Sequence, residues 1–100
     1  MSQLPVSDPL EQAALRHLAR RDRTEAQMKA YLTRMGASPT RITSVIRGLQ
    51  ARGYLNDQAY ALRWARSRIE RRPMGRDRLE AELIGQGLDR HTVSGVLDQV

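Results

Sequence analysis

The chain has 100 residues, a net charge of +6 and no cysteine. This length allows one domain or two very small ones, and the lack of cysteine excludes a disulfide framework and a cysteine-bound zinc site. Because phenylalanine is absent and only one tryptophan and three tyrosines are present, the core must be aliphatic. The N-terminal residues lack the apolar region of a signal peptide, and no apolar run has membrane-spanning length, so we expect a cytoplasmic protein.

The first predicted helix follows a short tail. Residues 1–7 are expected to be flexible. Asp8 is a suitable N-cap, and Pro9 fits the first turn of a helix that runs to about Arg21. Glu11 is placed three residues after Asp8, so it is expected to complete a capping box.

The second and third helices show the spacing of amphipathic helices. Thr24 begins the second helix in another capping box, and Gly36 ends it. Ser38 begins the third helix, and Gly53 ends it. Apolar residues recur at i, i+3, i+4 and i+7 in both helices, at Met28, Tyr31, Leu32 and Met35 and at Ile42, Val45, Ile46 and Leu49.

Three more helices are predicted in the second half. Asn56 is the N-cap of a fourth helix that runs to about Arg72 and ends before Pro73. A fifth helix ends at Gly87, and Asp89 is the N-cap of the sixth. Since no segment shows sustained strand alternation, the sequence predicts an all-α fold.

The two halves of the chain repeat each other at an offset of 51 residues. The offset pairs Leu18 with Ile69, Met28 with Leu79, Leu32 with Leu83, and Gly36 with Gly87. We therefore predict two three-helix repeats, over residues 8–55 and 56–100. Because a single unit of this size buries little apolar surface, we expect the two repeats to stack and share one core.

The stretch GYLNDQAYALRWARSRIERR, residues 53–72, resembles the signature of the RecX family. The residues that match the spacing of the family are Gly53, Tyr54, Leu55, Asp57, Tyr60, Ala61, Trp64, Ser67 and Arg68. Tandem three-helix repeats are also typical of that family. Its members usually carry a third repeat, which is absent from the sequence up to Val100.

The resemblance implies a regulator of the bacterial recombinase RecA. A protein of this kind is expected to bind the RecA–DNA filament and lie along its groove. It would inhibit the recombinase, ATPase and coprotease activities of RecA in DNA repair and the SOS response. We expect a monomer without a cofactor, and the charge of +6 predicts weak, non-specific DNA binding in addition.

The candidate partner-binding residues lie in and after the fourth helix. This region contains an arginine run, defined as Arg63, Arg66, Arg68, Arg71, Arg72, Arg76 and Arg78. Against these seven cations stand only Glu70 and Asp77, so the local charge is 7 − 2 = +5. Tyr60, Trp64 and Arg68 fall on one line of the helix, where Trp64 can stack on Arg68.

The predicted interface therefore consists of Tyr60, Trp64 and six members of the arginine run, namely Arg63, Arg66, Arg68, Arg71, Arg72 and Arg76. Arginine and tryptophan are common anchors at protein interfaces, and arginine also binds phosphates. The alternative interpretation is that the aromatic residues pack between the repeats and the arginines are solvated.

Two other functions agree less well with the sequence. An enzyme is not expected, because His17 and His91 lie in opposite repeats, and no nucleophile, phosphate loop or metal site accompanies them. Helices two and three could instead form a helix-turn-helix that acts in transcription. Its base-contacting residues would be Thr40, Arg41, Thr43, Ser44 and Arg47. An ordinary helical hairpin is favoured, because a helix-turn-helix does not require a duplicate.

Overall fold

The computed structural model describes residues 8–100, so the tail expected over residues 1–7 lies outside the described residues. Within that range the chain forms six α-helices and no β-strand, which confirms the all-α prediction. The helices are α1 (Pro9–Arg20), α2 (Glu25–Arg34), α3 (Pro39–Ala51), α4 (Asp57–Arg71), α5 (Arg76–Gly85) and α6 (Arg90–Leu97).

The helices begin and end at the residues that the sequence indicates. Five predicted N-caps each accept a hydrogen bond from a backbone N–H of the first helical turn, at Asp8, Thr24, Ser38, Asn56 and Asp89. Thr24 and Gln27 form the reciprocal capping box. Positive φ angles of 86°, 80° and 95° at Gly36, Gly53 and Gly87 turn the chain after α2, α3 and α5, as glycine permits.

The capping box predicted at Asp8 and Glu11 is wrong. Asp8 caps α1 by accepting a hydrogen bond from the backbone N–H of Leu10 at 3.0 Å. Glu11 instead turns towards the end of α3, where it is 7% exposed and forms an ion pair with Arg52. A buried carboxylate requires a cationic or hydrogen-bonding partner, and Arg52 supplies one across 41 residues of sequence.

Each repeat has its own core, so the prediction of one shared core is wrong. One cluster contains Ala14, Met28, Leu32, Ile42, Val45, Ile46, Leu49 and Leu55. The other contains Tyr60, Ala61, Ala65, Leu79, Leu83, Leu88, Val93, Val96 and Leu97. The apolar stripe of each helix is covered within its own three-helix unit, with α2 packed on α3 and α4 packed on α6. Among the described residues, neither buried cluster extends into the other repeat.

A polar junction connects the two repeats. Thr24 Oγ1 donates a hydrogen bond of 3.0 Å to the carbonyl of Gln86, at the end of α5. The backbone N–H of Glu25, at the start of α2, donates to Asp57 Oδ1 at 2.8 Å. Gln27 Nε2 reaches the side-chain oxygen of Gln86 at 3.2 Å. The two repeats are joined end to end through these hydrogen bonds, and the described chain is elongated, with extents of 48 × 23 × 22 Å.

Candidate functional site

Helix α4 has a fixed orientation because two of its small residues are fully buried. Ala61 and Ala65 are both 0% exposed, and they place the helix axis close to the rest of the second repeat. Leu62 and Ile69 pack beside them on the same core. Arg63 and Arg66, on the opposite side of the helix, consequently face solvent.

The line of Tyr60, Trp64 and Arg68 lies on the side of α4 that faces α5. Tyr60 is only 7% exposed, and its hydroxyl donates a hydrogen bond of 3.0 Å to Gln86 Oε1. Tyr60 therefore belongs to the core and is not available as the exposed contact that the sequence suggested. Trp64 is partly buried against the same core. The predicted stack is confirmed, with the Arg68 guanidinium carbon 5.3 Å from the centroid of the Trp64 ring.

Arg68 is held by a carboxylate of the neighbouring helix. Its Nε and one terminal nitrogen lie 3.2 and 3.3 Å from the two oxygens of Glu82 on α5. Arg78 approaches the same carboxylate at 3.5 Å from the preceding turn of α5. A two-point contact of this kind fixes the guanidinium plane, so Arg68 supports the packing of α4 on α5.

Two further members of the arginine run form exposed ion pairs. Arg63 lies 2.7 Å from Asp22, which connects the second repeat to the loop after α1. Arg76 lies 3.1 Å from Asp98, beyond the end of α6. Exposed pairs contribute at most about 1 kcal/mol to folding. A partner with stronger acidic groups could therefore displace either aspartate.

Arg66, Arg71 and Arg72 are the three predicted site residues that stay exposed and unpaired. None of them forms an ion pair with any residue of the described chain. Glu82, the nearby carboxylate on α5, is used by Arg68 and Arg78. The C-terminal end of α4 thus presents two adjacent guanidinium groups to solvent.

A shallow cleft of about 380 Å³ lies beside the N-terminal half of α4, at the junction of the repeats. It is lined by Arg21, Asp22, Tyr60, Arg63, Trp64 and Gln86. The cleft gives a partner access to the exposed part of Trp64. The cleft therefore combines a partly exposed indole with the Arg63–Asp22 pair, and the unpaired Arg66, Arg71 and Arg72 lie elsewhere on the exposed surface of α4 and its C-terminal end.

The alternative face, on α3, is less basic than the sequence indicated. Arg41 is held by Asp8, whose carboxylate oxygens lie 2.7 and 2.8 Å from one guanidinium nitrogen. This hydrogen bond also lowers the pKa of Asp8 below its usual range. Arg47 remains as the exposed cation among Thr40, Thr43 and Ser44. The hairpin of α2 and α3 is thus a weak candidate for binding DNA.

The titratable groups of the described chain are dispersed. Among residues 8–100, no three His, Asp or Glu side chains are grouped closely enough to hold a metal ion. None of the helices in that range combines the length and the apolarity that crossing a bilayer demands.

Burial raises the pKa of Asp57, although the hydrogen bond from the backbone N–H of Glu25 opposes this effect.

Two family models match this chain in succession. The first three-helix domain of RecX matches residues 12–49, and the second three-helix domain of RecX matches residues 56–97. The matched segments correspond to the two repeats of the structure. They also include most of the helical residues of both.

Several curated proteins named Regulatory protein RecX are similar to the chain. The one from Halorhodospira halophila is 35% identical over 95 residues, which cover 95% of this chain and 56% of the relative. The one from Pelodictyon phaeoclathratiforme is 34% identical over 86 residues, covering 86% of this chain and 54% of the relative. The one from Listeria monocytogenes is 28% identical over 86 residues, covering 86% of this chain and 32% of the relative. The chain thus spans between a third and somewhat over half of these relatives.

Proposed function

Because this chain belongs to the RecX family of regulatory proteins, we propose that it binds the RecA–DNA filament and inhibits the activities of RecA. The activities concerned are recombination, ATP hydrolysis and the coprotease function in the SOS response. RecA filaments form on DNA in the bacterial cytoplasm, so the chain would act there. The RecX family resemblance is the basis for naming RecA as the partner.

The observation that carries the proposal is the unpaired basic surface of the second repeat. Arg66, Arg71 and Arg72 are exposed and form no ion pair within residues 8–100. Guanidinium groups that are not neutralised internally remain free to pair with carboxylates or phosphates of a partner. A RecA–DNA filament presents both kinds of anion. The elongated shape of 48 × 23 × 22 Å is compatible with an extended groove.

Trp64 supports a protein contact in addition to a phosphate contact. Its ring is partly exposed next to the cleft at the junction, and Arg68 stacks on it at 5.3 Å. Tryptophan beside arginine is a frequent combination at the centre of protein interfaces. The proposed contact surface is therefore formed by Arg63, Arg66, Arg71 and Arg72 with Trp64 at its edge, and Arg76 extends it beyond α4.

The direct test is ATP hydrolysis by RecA on single-stranded DNA. We expect the purified chain to slow hydrolysis at concentrations well below that of RecA. The inhibition should be the same at every DNA concentration. If the chain only competed with RecA for DNA, an excess of DNA would abolish the inhibition. An unchanged rate at stoichiometric amounts of the chain would reject the proposal.

A further inference from the structure

The two repeats differ at one equivalent contact between their first and second helices. In the first repeat, the rings of His17 on α1 and Tyr31 on α2 stack with centroids 3.7 Å apart and an angle of 4° between planes. Adding 51 to each number gives Arg68 and Glu82. These two form the ion pair between α4 and α5, with nitrogen and oxygen 3.2 Å apart. At this contact the first repeat therefore has a neutral pair of stacked rings where the second repeat has an ion pair.

Basic residues surround this contact in both repeats. Arg20 and Arg21 at the end of α1 are equivalent to Arg71 and Arg72 at the end of α4, since 20 + 51 = 71 and 21 + 51 = 72. In the second repeat, Glu82 supplies a carboxylate to the basic cluster. In the first repeat, the equivalent position holds Tyr31, so the cluster receives no carboxylate there.

The first repeat gathers four guanidinium groups around the ring pair. Arg20 follows His17 by three residues on α1, with Arg21 next to it, and Arg34 follows Tyr31 by three residues on α2, so these side chains are neighbours of the stacked rings. Burial lowers the pKa of His17, and the charges of Arg23, Arg20, Arg21 and Arg34 lower it further. None of the four forms an ion pair with a residue of the described range 8–100. In addition, Nε of Arg23 is buried and has no hydrogen-bond partner in that range. We name this set, Arg20, Arg21, Arg23 and Arg34 around His17 and Tyr31, the α1–α2 basic cluster.

We infer that the α1–α2 basic cluster is a binding site for the phosphate backbone of single-stranded nucleic acid. Asp22, between Arg21 and Arg23, pairs with Arg63 of α4 instead. Four like charges that form no ion pair within residues 8–100 favour an external polyanion that relieves their repulsion. Phosphates fit better than an acidic protein surface, because interfaces with nucleic acid are much more positively charged than interfaces between proteins. The partly exposed rings of His17 and Tyr31 could accept an unpaired base beside the phosphates.

The inference can be tested without RecA, by fluorescence anisotropy with a labelled oligothymidylate. We expect Arg20→Gln with Arg21→Gln to weaken binding at least about fivefold at low salt. The slope of log K against log salt should fall by about 1.4, because each phosphate contact on a single strand contributes about 0.7. Circular dichroism should show an unchanged melt, since both side chains are exposed.

The matched control is Arg47→Gln with Arg90→Gln, which removes the same charge from exposed positions on α3 and α6. We expect it to weaken binding less than about twofold. Equal losses from both double variants would show that only net charge matters and would overturn the inference. Unchanged DNA binding with reduced binding to RecA filaments would instead indicate an acidic protein partner, and would overturn it as well.

If the double variant fails to fold, Arg34→Gln provides an independent test from α2. Arg34 is exposed and belongs to the same cluster, so its loss should weaken oligothymidylate binding and reduce the salt slope by about 0.7. No change in either quantity would overturn the inference. Because DNA alone is the probe, a failure to bind oligothymidylate leaves the proposed RecA interaction unaffected. In the same way, a failure to inhibit RecA leaves the proposed DNA site unaffected.

Discussion

Thr24 Oγ1 donates a hydrogen bond of 3.0 Å to the main-chain carbonyl of Gln86, 62 residues further along the chain. The same hydroxyl oxygen accepts a hydrogen bond from the backbone N–H of Gln27, so it caps α2 while it holds the end of α5. Thr24 is fully buried although it is polar. The relative position of the two repeats consequently depends on a few directional hydrogen bonds, because no apolar cluster spans both.

Two equivalent glycines test the junction. A Cβ at Gly87 would lie 2.8 Å from the Cβ of Ala26 in α2, whereas a Cβ at Gly36 would have no neighbour within 4 Å. Both glycines have positive φ, so alanine costs about 1–2 kcal/mol at each position. We expect Gly87→Ala to destabilise the protein by roughly 1 kcal/mol more than Gly36→Ala, because it pushes the repeats apart. Urea denaturation of both variants measures this difference, and equal losses would contradict a close contact at Gly87.

Leu32 tests the core of the first repeat. Its side chain is 0% exposed, so Leu32→Ala should cost roughly 2–4 kcal/mol of unfolding free energy. Hydrogen exchange should then increase mainly in α1 to α3. The matched variant is Leu83→Ala, at the equivalent buried position, and it should increase exchange mainly in α4 to α6. If either variant accelerated exchange equally in both repeats, the two cores would not be independent.

Asp57 gives the protein a specific pH dependence. Burial raises its pKa above the ordinary value of 3.8, so the folded state binds this proton more tightly than the unfolded chain. The associated stability is present below pH 3.8 and is lost as the pH rises through the folded pKa. In the variant Asp57→Asn, the asparagine side chain can still accept the hydrogen bond from the backbone N–H of Glu25, but it does not titrate.

We therefore expect the stability of Asp57→Asn relative to the unchanged protein to increase with pH. The measurement is the difference in melting temperature between the two proteins at pH 3.5 and at pH 7. The difference should be more favourable to the variant at pH 7. A constant difference would mean that the pKa of Asp57 is the same in the folded and unfolded states.

Local signals in the sequence were sufficient to predict the helices and the repeats. Caps such as Asn56 and stops such as Gly36 act within a few residues, and the periodicity of Leu32 or Leu83 identifies a buried side. The same signals could not show which surface covers that side. The apolar stripes proved to be covered within each repeat, and for this reason the predicted shared core is absent.

Long-range ion pairs could not be predicted for the same reason. Glu11 was assigned to a local cap, but the folded chain brings Arg52 to it. Arg68 was predicted to contact a partner, but the packing of α5 on α4 places Glu82 beside it. The spacing of Arg78 and Glu82 at i and i+4 is visible in the sequence and is the signal that could have identified Glu82 as a partner of arginine. The role of the remaining arginines in binding a partner stays a prediction.

The most direct test of the account is the affinity of Arg71→Glu with Arg72→Glu for RecA filaments assembled on single-stranded DNA. Both side chains are exposed and unpaired within the described chain, so the melting temperature should stay nearly constant. The matched control, Arg47→Glu with Arg90→Glu, makes the same change in net charge on α3 and α6. We predict that the first variant binds at least about tenfold more weakly, a loss of about 1.4 kcal/mol, while the control binds almost normally. If the first variant melts normally and still binds with unchanged affinity, these arginines are only solvated surface and the proposed interface is wrong.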